Sequence, residues 1–260
     1  MANLLSLKNI DKSFNKGTVD EMHLFTDFNL DIEEGEFVSI VGSNGSGKTT
    51  LLNIINGSVS IDGGSIYLKD ENINKVKEHI RARRIGRVFQ DPSLGTSPHM
   101  SIIENLALAE NKGQSYGLTF ALSKKKIAYY HELLKSLNLG LEDKMNTKVN
   151  KLSGGQRQAL ALLMATLSPV DILLLDEHTA ALDPKTSEMI MELTNRIVEE
   201  KNITTIMVTH NLRYAVEYGT RLLMFNQGKI VVDKNKEEKE NTKVEDLLQI
   251  FNEISIECGN

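Results

Sequence analysis

The sequence predicts an α/β fold whose sheet is largely parallel, with a helical segment inserted in the middle of the chain. Strand-like and helix-like segments alternate towards both ends of the 260 residues, as expected for parallel strands joined by helices. Between them, from Met100 to about Thr166, apolar residues recur at helical spacing. Apolar residues make up 40% of the chain and charged residues 25%, a composition that excludes a fibrous or wholly disordered protein.

The first part of the chain is rich in predicted strands. The clearest is the β-rich apolar run Phe-Val-Ser-Ile-Val within Glu36–Val41, which is typical of a buried strand. A glycine-rich turn follows, and then a helix from Lys48 to about Ile55. The strands predicted in this part are Leu4–Ile10, Phe25–Ile32, Glu36–Val41, Ile66–Leu68 and Gly86–Phe89.

The inserted segment is predicted from apolar spacing and capping residues. Ser123 is a candidate N-cap for a helix, and Gly140 lies beyond its end. The apolar positions that indicate the inserted helices are Ile102, Ile103, Leu106 and Ala109 in the first, and Ile127, Tyr130, Leu134 and Leu137 in the second.

After the insertion the alternating pattern resumes. The predicted elements are a strand at Asp171–Asp176, a helix from about Pro184 to Glu200, and strands at Ile203–Thr209, Arg221–Phe225 and Ile230–Asp233. The charge-dense stretch Lys234–Thr242 is interpreted as a solvated linker. An amphipathic helix closes the chain, marked by Val244, Leu247, Leu248, Phe251 and Ile254.

Charge, cysteine content and hydropathy exclude several classes of protein. A net charge of −5 gives no basic footprint for nucleic acid. The single cysteine, Cys258, cannot form an internal disulfide, which fits a reducing compartment. We see no secretory signal, and the longest nearly apolar run, Ala159–Leu167, is far shorter than the roughly 20 residues of a membrane span. The chain is therefore not expected to cross a membrane alone.

The first motif with chemical content is a phosphate-binding loop. Gly42–Thr49 fits the pattern G-x-x-x-x-G-K-[ST], following a strand and opening a helix as the motif requires. Its glycines let backbone N–H groups face the phosphates, Lys48 would reach the β- and γ-phosphates, and Thr49 would ligate Mg²⁺. The predicted nucleotide-binding residues here are Gly42, Ser43, Asn44, Gly45, Ser46, Gly47, Lys48, Thr49 and Thr50.

The second motif is an apolar strand that ends in two carboxylates, Asp176 and Glu177. Open parallel sheets bind ligands at this end of their strands. Asp176 is suited to holding Mg²⁺ through a water molecule, and Glu177 is suited to polarising the attacking water. An apolar strand that ends in two carboxylates is common, so by itself this motif is a weak indication of a nucleotide site. It becomes a strong indication when a phosphate-binding loop is also present.

The third motif is Leu152-Ser153-Gly154-Gly155-Gln156, at the start of a helix. Ser153 can cap that helix, and the glycines leave N–H groups open to an anion. A second anion site remote in sequence from the first is understandable if two chains share one nucleotide.

With these three motifs the chain resembles the nucleotide-binding subunit of ABC transporters over nearly its full length. The resemblance implies a P-loop NTPase core (residues 1–90 and 167–260) with a mostly parallel sheet and an antiparallel β subdomain. It also implies an inserted helical subdomain at residues 91–166, and ATP and Mg²⁺ as ligands. ATP is preferred to GTP because no guanine-binding Asn-Lys-x-Asp sequence is present.

The same resemblance places the remaining site residues. Phe14 would stack on adenine, Gln90 would touch Mg²⁺ or its water, and Asp183 would lie in a loop crossing a dimer interface. His210 would contact the γ-phosphate. Two positions depart from the family: His178 stands where proline is commoner, interpreted as a tolerated loop residue, and Ala180 replaces a frequent serine.

The resemblance also implies partners. Two copies would pack head to tail with ATP bound, each nucleotide lying between Gly42–Thr49 of one chain and Leu152–Gln156 of the other. A separate membrane permease would dock near residues 91–105, on the cytoplasmic face. Three segments resemble the ATPases of amino-acid importers of the tryptophan/tyrosine type: Phe89–Pro98, Glu104–Ala109 and Asp176–Lys185. Such importers use an extracytoplasmic solute-binding protein. An exporter ATPase, a soluble ABC ATPase acting in DNA repair or on the ribosome, and a P-loop kinase are the alternatives.

Overall fold

The computed structural model describes residues 3–112 and 123–257, with the side chains of 254–257 excepted. Cys258 lies outside these residues, as does the side chain of Ile254. The strands are β1 (Asn3–Phe14), β2 (Met22–Glu33), β3 (Phe37–Gly42), β4 (Gly63–Leu68), β5 (Glu71–Asn72), β6 (Ile85–Val88), β7 (Ile172–Asp176), β8 (Thr204–Val208), β9 (Arg221–Asn226) and β10 (Lys229–Lys234). The helices are α1 (Lys48–Asn56), α2 (Glu78–Arg81), α3 (Ile102–Glu110), α4 (Lys124–Lys135), α5 (Gly154–Ala165), α6 (Pro184–Lys201), α7 (Leu212–Glu217), α8 (Lys236–Glu240) and α9 (Val244–Glu257).

By its contacts the chain divides into two compact units. Unit 1 is Met1–Ala82 with Asn202–Asn260, and unit 2 is Arg83–Lys201. This division differs from the expected boundaries, because it places 83–90 and 167–201 with the helical segment. The physical reason is that β6 pairs with β7, and that helix α5 packs on β6 and on α6.

One sheet of unit 1 is antiparallel, with strand order β2-β1-β4-β5. Strand β1 pairs with both β2 and β4 in antiparallel register. Its apolar residues Leu5, Leu7 and Ile10 are almost fully buried. The antiparallel β subdomain expected from the sequence is therefore present.

The second sheet of unit 1 has the order β10-β9-β3-β8. Strand β3 is parallel to both β8 and β9, and β10 is antiparallel to β9. Every residue of β3 is buried, as expected of a central parallel strand. Helices α7 and α9 contribute Ala215 and Leu247 to a core shared with Val41, Leu222 and Met224.

Unit 2 contains the parallel pair β6–β7 and helices α3 to α6. Gly86 of β6 is required by close packing, since a Cβ atom there would lie 2.7 Å from the carbonyl oxygen of Ala165 at the end of α5. Ser123 caps α4 through a hydrogen bond from the backbone N–H of Lys126, as predicted.

Two details of the helical predictions are wrong. Helix α4 ends at Lys135, so Leu137 lies beyond it although its side chain is buried. Ile127, expected on the buried face of this helix, is 40% exposed. The apolar spacing identified the helix, but which positions are covered depends on the elements packed against it.

The prediction of a solvated linker at Lys234–Thr242 is also wrong. It contains helix α8, capped by Asn235 and Glu238, and Lys239 is only 4% exposed. The Lys239 ammonium donates to the carbonyl oxygens of Val216, Tyr218 and Gly219 at 2.8 to 2.9 Å. These carbonyls belong to the last turn of α7 and the two residues that follow the helix, where acceptors lack intrahelical donors. A dense run of charge does not distinguish this buried lysine from its solvated neighbours.

Candidate nucleotide site

The predicted phosphate loop lies between β3 and α1, as its motif requires. Gly42 has φ +156, and a Cβ atom there would lie 2.3 Å from the carbonyl oxygen of Phe225 and 2.8 Å from the Ser46 hydroxyl. Gly47 caps α1 in the left-handed conformation at φ +103, where glycine carries no steric penalty. Ser43, Asn44, Gly45 and Thr49 are exposed, and Thr50 is half-buried.

Lys48 is folded back over the loop that precedes it. It is 5% exposed, and its Nζ donates to the carbonyl oxygens of Gly42 and Ser43, both at 2.9 Å. The buried Ser46 hydroxyl has no hydrogen-bond partner among the described residues. A cationic group, an unsatisfied hydroxyl and a helix N-terminus together fit a phosphate-binding loop.

Strand pairing brings His210 to the same sheet edge as the phosphate loop. In the parallel pair β3–β8, Ile40 is opposite Val208, so Gly42 and His210 each follow two residues later. Thr209 accepts the N–H of Asn211, whose side chain caps α7. The exposed His210 is thus held between two anchored neighbours.

Phe14 ends strand β1, opposite Met22 of β2. Its ring is half-buried, and the Lys12 ammonium lies 5.0 Å from the ring centroid. That distance allows a cation–π contact.

In unit 2 a second parallel pair gathers the other predicted catalytic residues. Val88 of β6 is opposite Leu175 of β7, so Gln90 and Glu177 follow at one edge of that pair. Gln90 is exposed and Glu177 half-buried. Glu177 has φ +48, an uncommon conformation for a residue with a side chain, which clusters at functional sites.

Asp176, the last residue of β7, forms an ion pair that the sequence did not reveal. Its Oδ2 lies 2.7 Å from a guanidinium nitrogen of Arg87, and both side chains are nearly buried. Arg87 is paired with Leu174, and Asp176 lies two residues beyond Leu174. Side chains two residues apart on a strand lie on the same face, so Arg87 and Asp176 share one face of the pair. The alternation of side chains along β6 shows on which face of the strand Arg87 lies. Only the strand register shows that its partner is Asp176.

His178 differs from the expected tolerated loop residue. It is 2% exposed, and its Nε2 lies 3.1 Å from the Thr194 hydroxyl. That hydroxyl donates its proton to the carbonyl of Ile190, so the histidine Nε2 is the donor in this contact. Burial lowers the pKa of His178 to about 4. The residue anchors the segment after Glu177 to helix α6.

The Leu152–Gln156 motif forms a capping box at the start of α5. The Ser153 hydroxyl accepts from the N–H of Gln156, and the Gln156 side chain accepts from the N–H of Ser153. Gln156 also donates to the carbonyl of Leu139 at 3.1 Å. Leu152 is buried, whereas Ser153 is exposed. The predicted cap is confirmed.

The two glycines of this motif face the segment around Asp183. A Cβ atom at Gly155 would lie 2.3 Å from Cγ2 of Thr186, and one at Gly154 would lie 3.2 Å from Leu182. Asp183 accepts from the backbone N–H of Thr186 at 3.1 Å. Hydrogen bonds from the side chain and backbone of Thr186 lower the pKa of Asp183. In this structure Asp183 therefore caps α6.

The residues predicted to hold magnesium have the right donor chemistry. Thr49, Gln90 and Asp176 offer a hydroxyl, an amide and a carboxylate oxygen, the hard donors that Mg²⁺ prefers. Within the described ranges, no three His, Cys, Asp or Glu side chains form a metal-binding cluster. Protein-bound Mg²⁺ usually has one or two carboxylate ligands together with water and substrate phosphates.

Comparison with protein families decides the identity. A family model described as ABC transporter matches residues 25–180. The chain belongs to the ABC transporter family.

Individual relatives agree with this assignment. The chain is 50% identical over 248 residues to a tyrosine transport ATP-binding protein of Clostridioides difficile, covering 95% of this chain and 98% of that protein. It is 35% identical to a phosphonates import ATP-binding protein of Lactococcus lactis, covering 90% and 94%. Among solved structures, it is similar to the ATP-binding cassette MJ0796, a dimer in a post-hydrolysis state with ADP and Pi (TM-score 0.76, 33% identity, 89% and 98% covered).

These comparisons confirm the ABC ATPase fold, with its antiparallel and parallel sheets. The chain is the ATP-binding subunit of an ABC transporter, an ATPase coupled to transport. No helix in the part of the chain that the structure describes is long and apolar enough to cross a membrane.

Gly155 is expected to be required for packing of this ABC ATPase. We predict that Gly155→Ala lowers the free energy of unfolding by about 1–3 kcal/mol, the usual range for overpacking. The added methyl group would meet Cγ2 of Thr186. Thr186→Ser removes that carbon but keeps the hydroxyl that bonds Asp183. Denaturant unfolding of both single variants and the double variant measures the effect, and an unstable double variant would exclude this contact as the cause.

His178 is expected to make stability depend on pH. Its pKa falls from 6.5 to about 4 on folding. Between these values the unfolded chain binds a proton that the folded chain does not, so stability decreases as pH falls through this window. The loss reaches about 3 kcal/mol at pH 4 and is absent above pH 7.

His178→Gln keeps a donor for Thr194 but does not titrate. Thermal unfolding of both proteins between pH 8 and 4 should give a constant difference above pH 7. Below pH 6.5 the wild type should lose stability faster than the variant. Parallel curves over the whole range would mean that His178 does not stay neutral in the folded chain.

Proposed function

We propose that this ATPase powers import of an amino acid, with tyrosine as the first candidate, through a separate permease on the cytoplasmic face of the membrane. The observation that carries the proposal is the 50% identity to a tyrosine transport ATP-binding protein along nearly the full length of both chains. The relative named for phosphonates import is less similar, at 35% identity. The cargo rests on this likeness because no residue of an ATPase subunit needs to contact it.

ATP would be bound by the phosphate loop, with Lys48 moving from the Gly42 and Ser43 carbonyls to the β- and γ-phosphates. Such an exchange replaces two neutral acceptors by charged ones, which form stronger hydrogen bonds. His210, at the same edge, would contact the γ-phosphate, and Phe14 would stack on the adenine. Thr50 and the backbone N–H groups of 43–47 complete the phosphate contacts.

Hydrolysis would depend on Glu177, which would orient or deprotonate the attacking water. Its left-handed backbone and anchored neighbours support a fixed orientation. Thr49, Gln90 and Asp176 would hold Mg²⁺, which supplies charge neutralisation at the phosphates when bound. Lys48 and His210 would stabilise charge on the γ-phosphate.

Two chains would form a head-to-tail C2 dimer around two nucleotides. In each site Leu152–Gln156 of one chain would face the phosphate loop of the other, with Asp183 nearby. The capping bond of Ser153 uses a lone pair of its oxygen, so the hydroxyl proton can go to a phosphate. The similarity to a dimeric cassette with ADP and Pi supports this arrangement.

The permease would dock on residues 91–105. Leu94, in a short 3₁₀ turn after Gln90, is 68% exposed. A large apolar side chain at this exposure is suited to a protein contact. Its position four residues after Gln90 would link docking to the nucleotide site.

We predict that Glu177→Gln reduces ATP turnover by about 10²- to 10⁴-fold, the usual contribution of a general base. ATP affinity and ATP-dependent dimerisation should remain, because the amide keeps the shape of the side chain. Glu132→Gln, at a 70% exposed position of α4, is the matched control. Lys48→Ala should instead weaken ATP binding itself.

Steady-state phosphate release, nucleotide titration and size-exclusion chromatography measure these effects. Normal turnover by Glu177→Gln would contradict its role as the base. Unchanged ATP affinity in Lys48→Ala would contradict the phosphate-loop assignment.

The import proposal is tested by tyrosine uptake in cells that lack this chain. Uptake of labelled tyrosine should fall, wild-type protein should restore it, and Glu177→Gln should not. A mild-detergent pulldown should recover an integral permease, and indirectly an extracytoplasmic solute-binding protein. Unchanged uptake with loss of efflux would favour an exporter, and recovery with ribosomal or DNA-repair proteins would overturn the transport function.

A further inference from the structure

The parallel pair β6–β7 carries an ion pair at each of its two ends. At the amino end Arg84 lies 2.6 Å from Asp171, and at the carboxyl end Arg87 lies 2.7 Å from Asp176. The exposed fractions of the side chains differ. They are 33% and 18% for the first pair, and 10% and 12% for the second. The second pair is thus better shielded from water, and charges interact more strongly where water is excluded.

The Arg87 guanidinium is held by more than the carboxylate. Its central carbon lies 4.6 Å from the centroid of the Phe89 ring, within the range of cation–π contact. The carbonyl of Phe89 in turn accepts a hydrogen bond from Gln158, a residue of α5 that is 1% exposed. Arg87 therefore has a defined position beside Asp176, three residues before Gln90.

Asp176 is the carboxylate proposed to hold magnesium, so a fixed cation beside it affects the metal. An arginine is charged at every physiological pH. It offsets the negative charge that attracts a divalent ion, and it occupies the oxygen Oδ2. Both effects lower the affinity of Asp176 for a metal ion. The same contact compensates the negative charge of this nearly buried carboxylate when no metal is bound.

We propose that Arg87 is a positioning residue that holds Asp176 as its counter-ion before nucleotide binds and so lowers the affinity of the site for Mg²⁺. The inference rests on the proposed assignment of Asp176 to the metal. In this arrangement Mg²⁺ enters with ATP, whose phosphates supply the additional negative charge.

The test is a titration of Mn²⁺, a spectroscopic substitute for Mg²⁺, into the full chain with a non-hydrolysable ATP analogue, followed by electron paramagnetic resonance. Arg87→Gln keeps a hydrogen-bond donor but removes the charge. It should bind Mn²⁺ about tenfold more tightly, the effect of a modest interaction between neighbouring charges. Its thermal stability without nucleotide should be lower than that of the wild type. The deficit should shrink when Mn²⁺ and the analogue are bound, because the metal then replaces the lost cation.

The conservative and control variants separate the charge from a general disturbance. Arg87→Lys keeps the charge and should bind Mn²⁺ much as the wild type does. Arg84→Gln breaks the matched ion pair at the other end of the strands and should leave Mn²⁺ affinity unchanged. If Arg87→Gln does not fold, Arg87→Met, which keeps an unbranched side chain, takes its place in the titration.

Unchanged or weaker Mn²⁺ binding by the neutral variants would overturn the proposal, as would equal tightening in Arg84→Gln. Asp176→Asn distinguishes this failure from failure of the metal assignment. Loss of Mn²⁺ affinity in Asp176→Asn, with no change in Arg87→Gln, would remove only the role of Arg87. Wild-type affinity in Asp176→Asn would remove the metal role of Asp176, and the inference with it.

Discussion

Parallel strand register is the constraint on which the candidate site depends. In β3–β8 and again in β6–β7, the paired strands run in the same direction and end together. Residues that follow the paired ends therefore emerge at one edge, so Gly42 is brought near His210, and Gln90 near Glu177. A slip of one residue in either pair would turn the functional side chains to the opposite face. Every residue of β3, β7 and β8 is buried, so a slip is opposed because each side chain would enter close packing that fits a neighbour of different size.

Buried polar anchors hold the segments that the register places. Lys48 is bound to the loop carbonyls, Asp176 to Arg87, and His178 to Thr194. Each contact satisfies a group whose burial without a partner would be unfavourable. Glu177 lies between the last two anchors, so its uncommon backbone conformation is supported on both sides. Part of the rigidity of the proposed catalytic edge thus comes from Arg87, His178 and Thr194, to which no contact with the nucleotide is assigned.

The glycines of the two motifs have structural as well as binding roles. Gly42 allows the loop to approach the Phe225 carbonyl, and Gly155 allows α5 to approach Thr186. Both positions therefore require glycine even when no phosphate is bound. The glycines of each motif are therefore required by packing within their own unit as well as by the proposed contacts with phosphate.

The sequence by itself determined the α/β class, the order of the main elements, the phosphate loop, the cap at Ser153 and the membership of the ABC transporter family. These depend on local patterns such as spacing, capping residues and contiguous motifs. Only the tertiary structure decided that Arg87 meets Asp176, that His178 is buried and that Lys239 closes helix α7. The reason is physical: burial and pairing of a polar side chain depend on neighbours distant in sequence, and those neighbours are brought together only by strand register and helix packing.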